Sequence, residues 1–350
     1  MNSFRTLCAT LALPLAAHAA EVRPWHIYLL FGQSNMAGGA TTEAADRVVN
    51  PRVKVLAYTN CSGKGQTFNN WYNAAPHLHG CGDGLGPGDW FAKTMADSFP
   101  LDTIGLLPAA IPGVDIAFFM KDVVSTRRSE FSIPPDNKTY NSAYPLMVEK
   151  IRIAQKKGAL KGILFHQGEA DWRDSARKTW VGKVKGIVDN LKKDVNIGDV
   201  PFLAGELRYD GCCGAHNTYV AELAKALPKG YVVSAKDLDK ASDNYHFTAK
   251  GYREFGKRYA AAMLKAMPPS TRVGTRASSA SSWHLSRSGG ATILSFDAPQ
   301  ERIEVRNLSG RLIAKGSGSQ LAIPSGARST FVVSARSGDA TTTGLTPPLR

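Results

Sequence analysis

The 350-residue sequence contains few cysteines, fewer acidic than basic residues and, beyond its first residues, no long apolar run. Without an apolar stretch of about 20 residues, the chain offers no candidate for a resident transmembrane helix. Lysine and arginine total 43 against 29 aspartates and glutamates, but the basic residues form no run interleaved with aromatics, which argues against nucleic acid as a partner. We therefore attribute the formal charge of +14 to solubility or to weak attraction to acidic surfaces.

The first residues have the order of an export signal. Arg5 supplies a positive start, residues 7–16 form a short apolar core, and Ala17-His18-Ala19 has the small-x-small form of a cleavage site. The apolar core is shorter than a membrane-spanning helix requires. We therefore predict that residues 1–19 are a signal peptide and that the remaining protein is secreted to the periplasm or the extracellular space.

Four of the five cysteines lie beyond the predicted signal: Cys61, Cys81, Cys212 and Cys213. In an exported chain an even count favours disulfides, and four cysteines allow three pairings. A zinc site is the alternative, but these spacings match no common zinc pattern, and we expect no metal. A bond between Cys61 and Cys81 would close the glycine-rich loop between them. Cys212 and Cys213 would then be a vicinal disulfide or two free thiols.

Strand-like and helix-like segments alternate over residues 20–267. Such alternation predicts a parallel sheet covered by helices on both faces, here a three-layer αβα sandwich with about five strands. Residues 268–290 are rich in Pro, Ser, Gly and Arg, as is typical of a linker. Residues 291–337 contain short alternating runs separated by turn residues, which predict a small antiparallel β module. We expect residues 338–350 to be a disordered tail.

A strand-like run ends on Gly32-Gln33-Ser34-Asn35-Met36, which places Ser34 at the carboxyl edge of the sheet, where ligands bind in open α/β folds. A serine hydroxyl is a weak nucleophile until a base accepts its proton and a third group orients that base. His246 is the candidate base and Asp243, three residues earlier, is the candidate carboxylate. The alternative interpretations are a polar turn for Ser34 and a helix N-cap for Asp243.

Acyl transfer also needs hydrogen-bond donors for the oxyanion of the tetrahedral intermediate. We expect them to be the backbone N–H groups of Ser34 and Gly113 and the side-chain amide of Gln167. A turn that requires glycine explains Gly113 equally well. Glu169 also lies at a strand end and is the alternative carboxylate for His246; otherwise it would hydrogen bond Gln167 or the serine loop.

Together these motifs resemble the SGNH hydrolase superfamily, and more closely its sialate O-acetylesterase-like branch, which includes the family 6 acetylxylan esterases. The matching segments are Gly32–Met36, Gly113, His166–Glu169 and Asp243–Thr248. His166-Gln167-Gly168-Glu169 stands where the wider superfamily has Gly-x-Asn, so Gln167 would replace the asparagine. The resemblance implies an SGNH, flavodoxin-like fold and a serine esterase that needs no cofactor and removes acetyl groups from carbohydrate.

We therefore expect a secreted bacterial enzyme whose partner is an acetylated polysaccharide or oligosaccharide, with acetylated xylan as the first candidate. Gln33, Asn35 and Trp172 are the expected substrate contacts. The alternatives are a sialate or other glycan O-acetylesterase and, in a different class, a non-catalytic glycan-binding protein. Residues Ile303–Leu312 of the β module resemble the sorting domains of some secreted bacterial proteins, which would connect the module to secretion machinery or the cell surface. A carbohydrate-binding module is the other interpretation.

Overall fold

The computed structural model of the protein describes residues 25–136, 138–267, 283–288, 291–307, 312–324, 331–337 and 340–346. The predicted signal peptide, residues 1–19, lies outside these ranges and stays a prediction. Within the described ranges, no helix has the length and apolar content needed to cross a membrane.

Seven strands form the main sheet, in the order β3-β2-β4-β1-β5-β6-β7. Their bounds are Trp25–Gly32 (β1), Val53–Leu56 (β2), Trp71–Asn73 (β3), Ile104–Pro108 (β4), Gly158–His166 (β5), Phe202–Gly205 (β6) and Gly230–Val233 (β7). All neighbouring strands are parallel except β2 and β3. The central strand β1 is covered on both faces, which explains why its sequence is almost uniformly apolar.

Helices cover both faces of this sheet, as the alternating pattern predicts. Their bounds are Ser34–Ala37 (α1), Pro87–Ser98 (α2), Ala143–Gln155 (α3), Asp174–Asp194 (α4), Asn217–Ala226 (α5) and Ala249–Ala266 (α6). Successive β1 side chains point to opposite faces. Ile27 and Leu29 pack with α3, α4 and α5, whereas Tyr28 and Leu30 pack with α2 and α6. The three-layer αβα architecture is therefore confirmed.

The sheet has more strands than the sequence analysis predicts. The short antiparallel edge strand β3 lies in the glycine-rich region that the sequence suggests is only a loop, because three residues are too few to show a periodic pattern. A disulfide between Cys61 and Cys81, one of the three possible pairings, closes this region with 5.2 Å between the two Cα atoms. Cys212 and Cys213 form a vicinal disulfide and are not two free thiols.

The C-terminal β module is a five-stranded antiparallel sheet. Its strands are Trp283–Ser288 (β8), Ala291–Asn307 (β9), Leu312–Ile323 (β10), Phe331–Ser337 (β11) and Ala340–Leu345 (β12). Two predicted boundaries are wrong. Strand β8 lies within the predicted linker, residues 268–290, and β12 lies within the predicted disordered tail, residues 338–350. Both segments are short and polar, and they form strands because they pair with β9 and β11, which contribute Leu294 and Val333 to a separate apolar core.

Candidate active site

Ser34 occupies a sharp strand-to-helix turn at the carboxyl end of β1. The backbone of Gly32 has φ +136°, and a Cβ atom there would lie 2.0 Å from the carbonyl oxygen of His166. Only glycine permits this close approach of β1 to the end of β5. The Gln33 N–H then donates to the same carbonyl over 2.9 Å, and α1 begins at Ser34. The neighbouring strand therefore fixes the position of the serine.

His246 and Asp243 lie beside this serine. The Nε2 atom of His246 is 2.9 Å from the Ser34 Oγ, and its Nδ1 atom is 2.9 Å from the Oδ2 of Asp243. Because an ionised carboxylate only accepts hydrogen bonds, Nδ1 carries the ring proton and Nε2 is free to accept the serine proton. The structure therefore brings together the three residues that the sequence analysis selects as nucleophile, base and orienting carboxylate.

Asp243 is held as an anion by its own loop. Partial burial would raise the pKa of this carboxyl, but hydrogen bonds from the His246 ring and from the backbone N–H groups of Tyr245 and His246 outweigh burial and lower the pKa to about 2. The two backbone donors lie 2.7 and 2.8 Å from Oδ1, which leaves Oδ2 to face the imidazole. A carboxylate fixed in this way stabilises an imidazolium that forms beside it.

Glu169, the alternative carboxylate, contacts different groups. Its Oε1 atom accepts a 2.7 Å hydrogen bond from the Asn35 side chain and lies 3.5 Å from Nδ1 of His166. The Asn35 amide also donates to the Tyr245 carbonyl over 2.9 Å, and its oxygen accepts from the Tyr252 hydroxyl over 2.8 Å. Glu169 therefore holds the serine loop through Asn35, which is one of the two roles considered for it.

These contacts correct two predicted substrate residues. Asn35 is fully buried and uses its amide group inside the protein, so it connects the serine turn to the histidine loop instead of contacting substrate. Gln33 is also buried, and its Oε1 atom faces the N–H groups of Gly168 and Ala170 at 3.4 Å. Trp172 is half-buried, so its contact with substrate stays a prediction.

The side chain of Gln167 is predicted to be an oxyanion donor, but in the structure its amide group is engaged inside the protein. The Trp180 indole N–H donates to Gln167 Oε1 over 2.6 Å, and because indole nitrogen only donates, this contact fixes which end of the amide is oxygen. The amide nitrogen donates to the Val114 carbonyl at 3.2 Å and to Asp171 Oδ2 at 2.5 Å. Both amide protons are therefore engaged in a fully buried network, and Gln167 supports the chain that follows β4.

Two backbone donors remain for an oxyanion. The N–H of Ile111 donates to the Gly32 carbonyl over 2.9 Å, which aligns the segment after β4 with the end of β1. Gly113 follows two residues later with φ +78°, and a Cβ atom there would lie 2.8 Å from the Phe131 ring. The glycine is thus required by the turn, and the N–H groups of Ser34 and Gly113 stay the predicted oxyanion donors.

Because Asp171 is a buried carboxyl in the Gln167 network, we predict that the free energy of unfolding depends on pH. Burial raises the pKa of this carboxyl to about 6, and hydrogen bonds from Gln167 and the Ile116 N–H oppose the shift only in part. The native carboxyl therefore holds its proton more tightly than the unfolded one, so its stabilising contribution is complete below about pH 4 and is lost as the pH rises through about 6. We expect Asp171→Asn to reduce this loss by on the order of 2 kcal/mol.

Urea unfolding of the wild type and of Asp171→Asn at several values between pH 4 and 7 would measure this difference. Asp199→Asn is a suitable control because that carboxylate lies on the surface in an ion pair with Lys192. Parallel stability curves for the wild type and Asp171→Asn would contradict the assignment.

An open cleft of about 500 Å³ adjoins Ser34 and His246. Its lining consists mostly of small residues and of the histidine loop: Ser34, Gly38, Gly39, Ala40, Thr41, Ala241, Asp243, His246, Phe247, Thr248, Ala249 and Tyr252. Tyr245 is 45% exposed, and its ring lies beside the His246 ring with 6.2 Å between the centroids. The Ser34 hydroxyl therefore faces an open cleft, with an exposed aromatic residue nearby.

Residues 24–265 match the family model described as carbohydrate esterase, sialic acid-specific acetylesterase. The chain belongs to this family. It is 27% identical over 261 residues to a probable carbohydrate esterase of Arabidopsis thaliana, an alignment that covers 70% of this chain and 92% of the relative.

Solved structures similar to this carbohydrate esterase family member agree with the fold. An Arabidopsis thaliana protein superposes with a TM-score of 0.55 at 24% identity, over 69% of this chain and 99% of the other. A carbohydrate acetylesterase from Xanthomonas citri gives a TM-score of 0.52 at 18% identity, over 91% and 74% of the two chains. The structure of NanS gives a TM-score of 0.55 at 16% identity, over 69% of this chain and 97% of the other. At these identities the likeness supports the fold alone.

The site of this esterase family member also contains residues that sequence reasoning missed. Trp180 and Asp171 hold Gln167, and Tyr252 holds Asn35. Asp171 lies four residues after Gln167, a local signal that could have identified it. Trp180 and Tyr252 come from helices α4 and α6, and no local pattern connects them to the strand-end motifs.

Proposed function

We propose that the protein is a serine esterase that removes O-acetyl groups from carbohydrate, on an SGNH-type scaffold of the branch that includes the family 6 acetylxylan esterases. The observation that carries the proposal is the continuous hydrogen-bonded chain from Ser34 Oγ through His246 to Asp243 at an open cleft. The family supports carbohydrate as the substrate class. The complete set of hydrogen bonds between Ser34, His246 and Asp243 argues against a non-catalytic glycan-binding protein.

In the proposed mechanism, Ser34 Oγ attacks the acetyl carbonyl carbon while His246 Nε2 accepts the hydroxyl proton. The carbonyl oxygen becomes an oxyanion, for which the N–H groups of Ser34 and Gly113 are the donors. Collapse of the intermediate breaks the ester bond, and the imidazolium returns its proton to the departing sugar oxygen. Water then attacks the acetyl-enzyme with His246 as base, which releases acetate and restores the serine. Asp243 holds the required tautomer throughout.

The shape of the cleft favours a small acyl group on a large alcohol. Gly38, Gly39 and Ala40 line the cleft beside the serine without bulky side chains, and the cleft is open to solvent, as a carbohydrate chain requires. Sugar rings present apolar faces that pack on aromatic side chains, and Tyr245 offers an exposed ring beside the base. We take acetylated xylan as the first candidate substrate. Sialate O-acetyl esters are the second candidate, because the matching family model carries that description.

Acetate release from acetylated xylan, pectin, mannan and O-acetylated sialosides would test the proposal, with Ser34→Ala as the control. We expect Ser34-dependent release from at least one glycan and a clear preference within the panel. Release only from sialosides would replace xylan by the second candidate. Binding to a glycan without any acetate release would favour the non-catalytic alternative.

We also propose that the protein is exported, with the C-terminal β module serving attachment, secretion or glycan binding. The two disulfides support an oxidising destination. Fractionation of producing cells, with N-terminal sequencing of the exported protein, would test the predicted cleavage after Ala19. A protein retained in the reducing cytoplasm with residues 1–19 intact would contradict this part of the proposal.

We predict that the β module is dispensable for the chemistry, because it has its own apolar core and the family match ends before it. Met267, whose sulfur accepts a hydrogen bond from the Tyr28 hydroxyl, packs in the N-terminal core and should be kept. A protein truncated after Met267 should therefore hydrolyse a small acetate ester within about threefold of the full chain. Its kcat/KM and thermal unfolding would be measured beside those of the full chain. Insolubility or inactivity of the truncated protein would show that the module belongs to the catalytic fold.

A further inference from the structure

The loop that carries Asp243 and His246 is exposed and irregular, yet its backbone is held at almost every carbonyl. Five carbonyl groups of residues 241–246 accept hydrogen bonds: Ala241 and Asp243 from the Arg208 side chain, Asn244 from the Cys212 N–H, Tyr245 from Asn35, and His246 from the Ala241 N–H. Three of these five bonds come from the segment 208–212, which follows β6. A second loop therefore holds the catalytic one.

Arg208 makes the central contacts of this segment. Its Nη1 atom donates to the Ala241 carbonyl at 3.1 Å and to the Asp243 carbonyl, so one guanidinium nitrogen holds both sides of residue 242. Its Nε atom donates to Asp210 Oδ1 at 3.0 Å, and Asp210 also pairs with Lys240. The Arg208 side chain is only 12% exposed. A largely buried, planar guanidinium with three acceptors has little rotational freedom.

The backbone beside Arg208 fits closely against the same loop. A Cβ atom on Gly211 would lie 2.2 Å from the Asn244 carbonyl oxygen, so the two chains touch without an intervening side chain. The Cys212 N–H then donates to that oxygen over 3.2 Å. Because Asn244 immediately follows Asp243, these contacts fix the Asp243 backbone from both sides.

We propose that Arg208 is a positioning residue for catalysis, which holds the Asp243 backbone so that its carboxylate stays on the Nδ1 side of His246. The inference rests on the proposed esterase function. Arg208 touches no reacting atom and acts through Asp243. Misplacement of a catalytic group by about 1 Å costs on the order of 100-fold in rate. We therefore expect Arg208→Met to lower kcat on a small acetate ester by roughly 10- to 100-fold, with KM nearly unchanged.

A double-mutant cycle tests this mechanism. If Arg208 acts through Asp243, Arg208→Met should cost less than about threefold in an Asp243→Asn background, because the group that it positions is already lost. Arg208→Lys should recover part of the turnover, since an ammonium can reach a carbonyl but lacks the fork that also holds Asp210. Arg52→Met is the matched control: Arg52 also donates to two backbone carbonyls, those of Ala96 and Phe99, at the opposite edge of the sheet. It should lower stability without changing kcat.

The full-length wild type is measured first, since absence of ester hydrolysis there would overturn the proposed function and not the role of Arg208. With an active wild type, a folded Arg208→Met that keeps kcat within threefold would overturn the positioning role. So would an equal loss from Arg208→Met in the wild-type and Asp243→Asn backgrounds. If thermal unfolding shows that Arg208→Met is not folded, Arg208→Gln, which also lacks the guanidinium, replaces it in the cycle under the same criteria.

Discussion

Ser34→Ala is expected to lower turnover of a small acetate ester by about 10⁴-fold or more while leaving the fold intact. Loss of the hydroxyl removes the atom that forms the acetyl-enzyme, and the remaining oxyanion donors supply only a small residual rate. Because alanine fits at the first residue of α1, thermal unfolding should change little. Initial rates and circular dichroism of both proteins would measure the two effects.

Ser62→Ala provides the matched control for this prediction. Ser62 is an exposed serine at the start of a single-turn 3₁₀ helix and does not belong to the lining of the cleft. Its replacement should leave turnover unchanged. A folded Ser34→Ala that retains wild-type turnover would show that another group is the nucleophile.

The second large effect separates the two carboxylates. Asp243→Asn is expected to lower kcat by about 10⁴-fold, because asparagine can donate to the imidazole and favour the tautomer in which Nε2 carries the proton. Glu169→Gln should lower kcat only about tenfold. The carbonyl oxygen of the new glutamine side chain can still accept from Asn35, and residue 169 does not face the Nδ1 atom of His246, which contacts Asp243. Both kcat values would be measured on the same small ester at neutral pH.

The opposite ranking would reassign the triad. If Glu169→Gln shows the far larger loss while Asp243→Asn stays close to the wild type, the working triad is Ser34, His246 and Glu169. Equal thermal stability of the two variants would show that the comparison reports on chemistry and not on unfolding.

The backbone position of the site could be predicted from the sequence. Ser34 follows a long apolar strand, and parallel strands bring their carboxyl ends to one edge, so its location depends on local pattern and general topology. Asp243 and His246 are three residues apart, so a single turn decides their contact. Such short-range relations can be recognised in a single sequence without an alignment.

The direction of the side chains could not be predicted in the same way. Gln33, Asn35 and Gln167 are polar residues at a strand end, where a sequence suggests exposure to substrate. In the structure they are buried, because their hydrogen-bond partners come from distant segments, among them Tyr252 on α6 and Trp180 on α4. The sequence shows that polar groups meet at this edge but does not show which of them satisfy one another.

The short strands β3, β8 and β12 cannot be recognised in the sequence for a related reason. Each is six residues or fewer and has no strong apolar alternation, so its conformation is set by the partner strand. Long, strongly periodic elements such as β1 and α6 carry their own apolar pattern and can be recognised in the sequence without knowledge of their partners.

The proposed activity depends above all on Ser34 as the nucleophile of a carbohydrate acetylesterase. Stepwise reaction with a phosphonylating serine reagent, followed by peptide mapping and by acetate release from acetylated xylo-oligosaccharides and O-acetylated sialosides, tests it most directly. If Ser34 is the nucleophile, one adduct per chain forms on Ser34, and acetate release falls in proportion to the fraction labelled. Undiminished acetate release from protein fully labelled at Ser34 would contradict it.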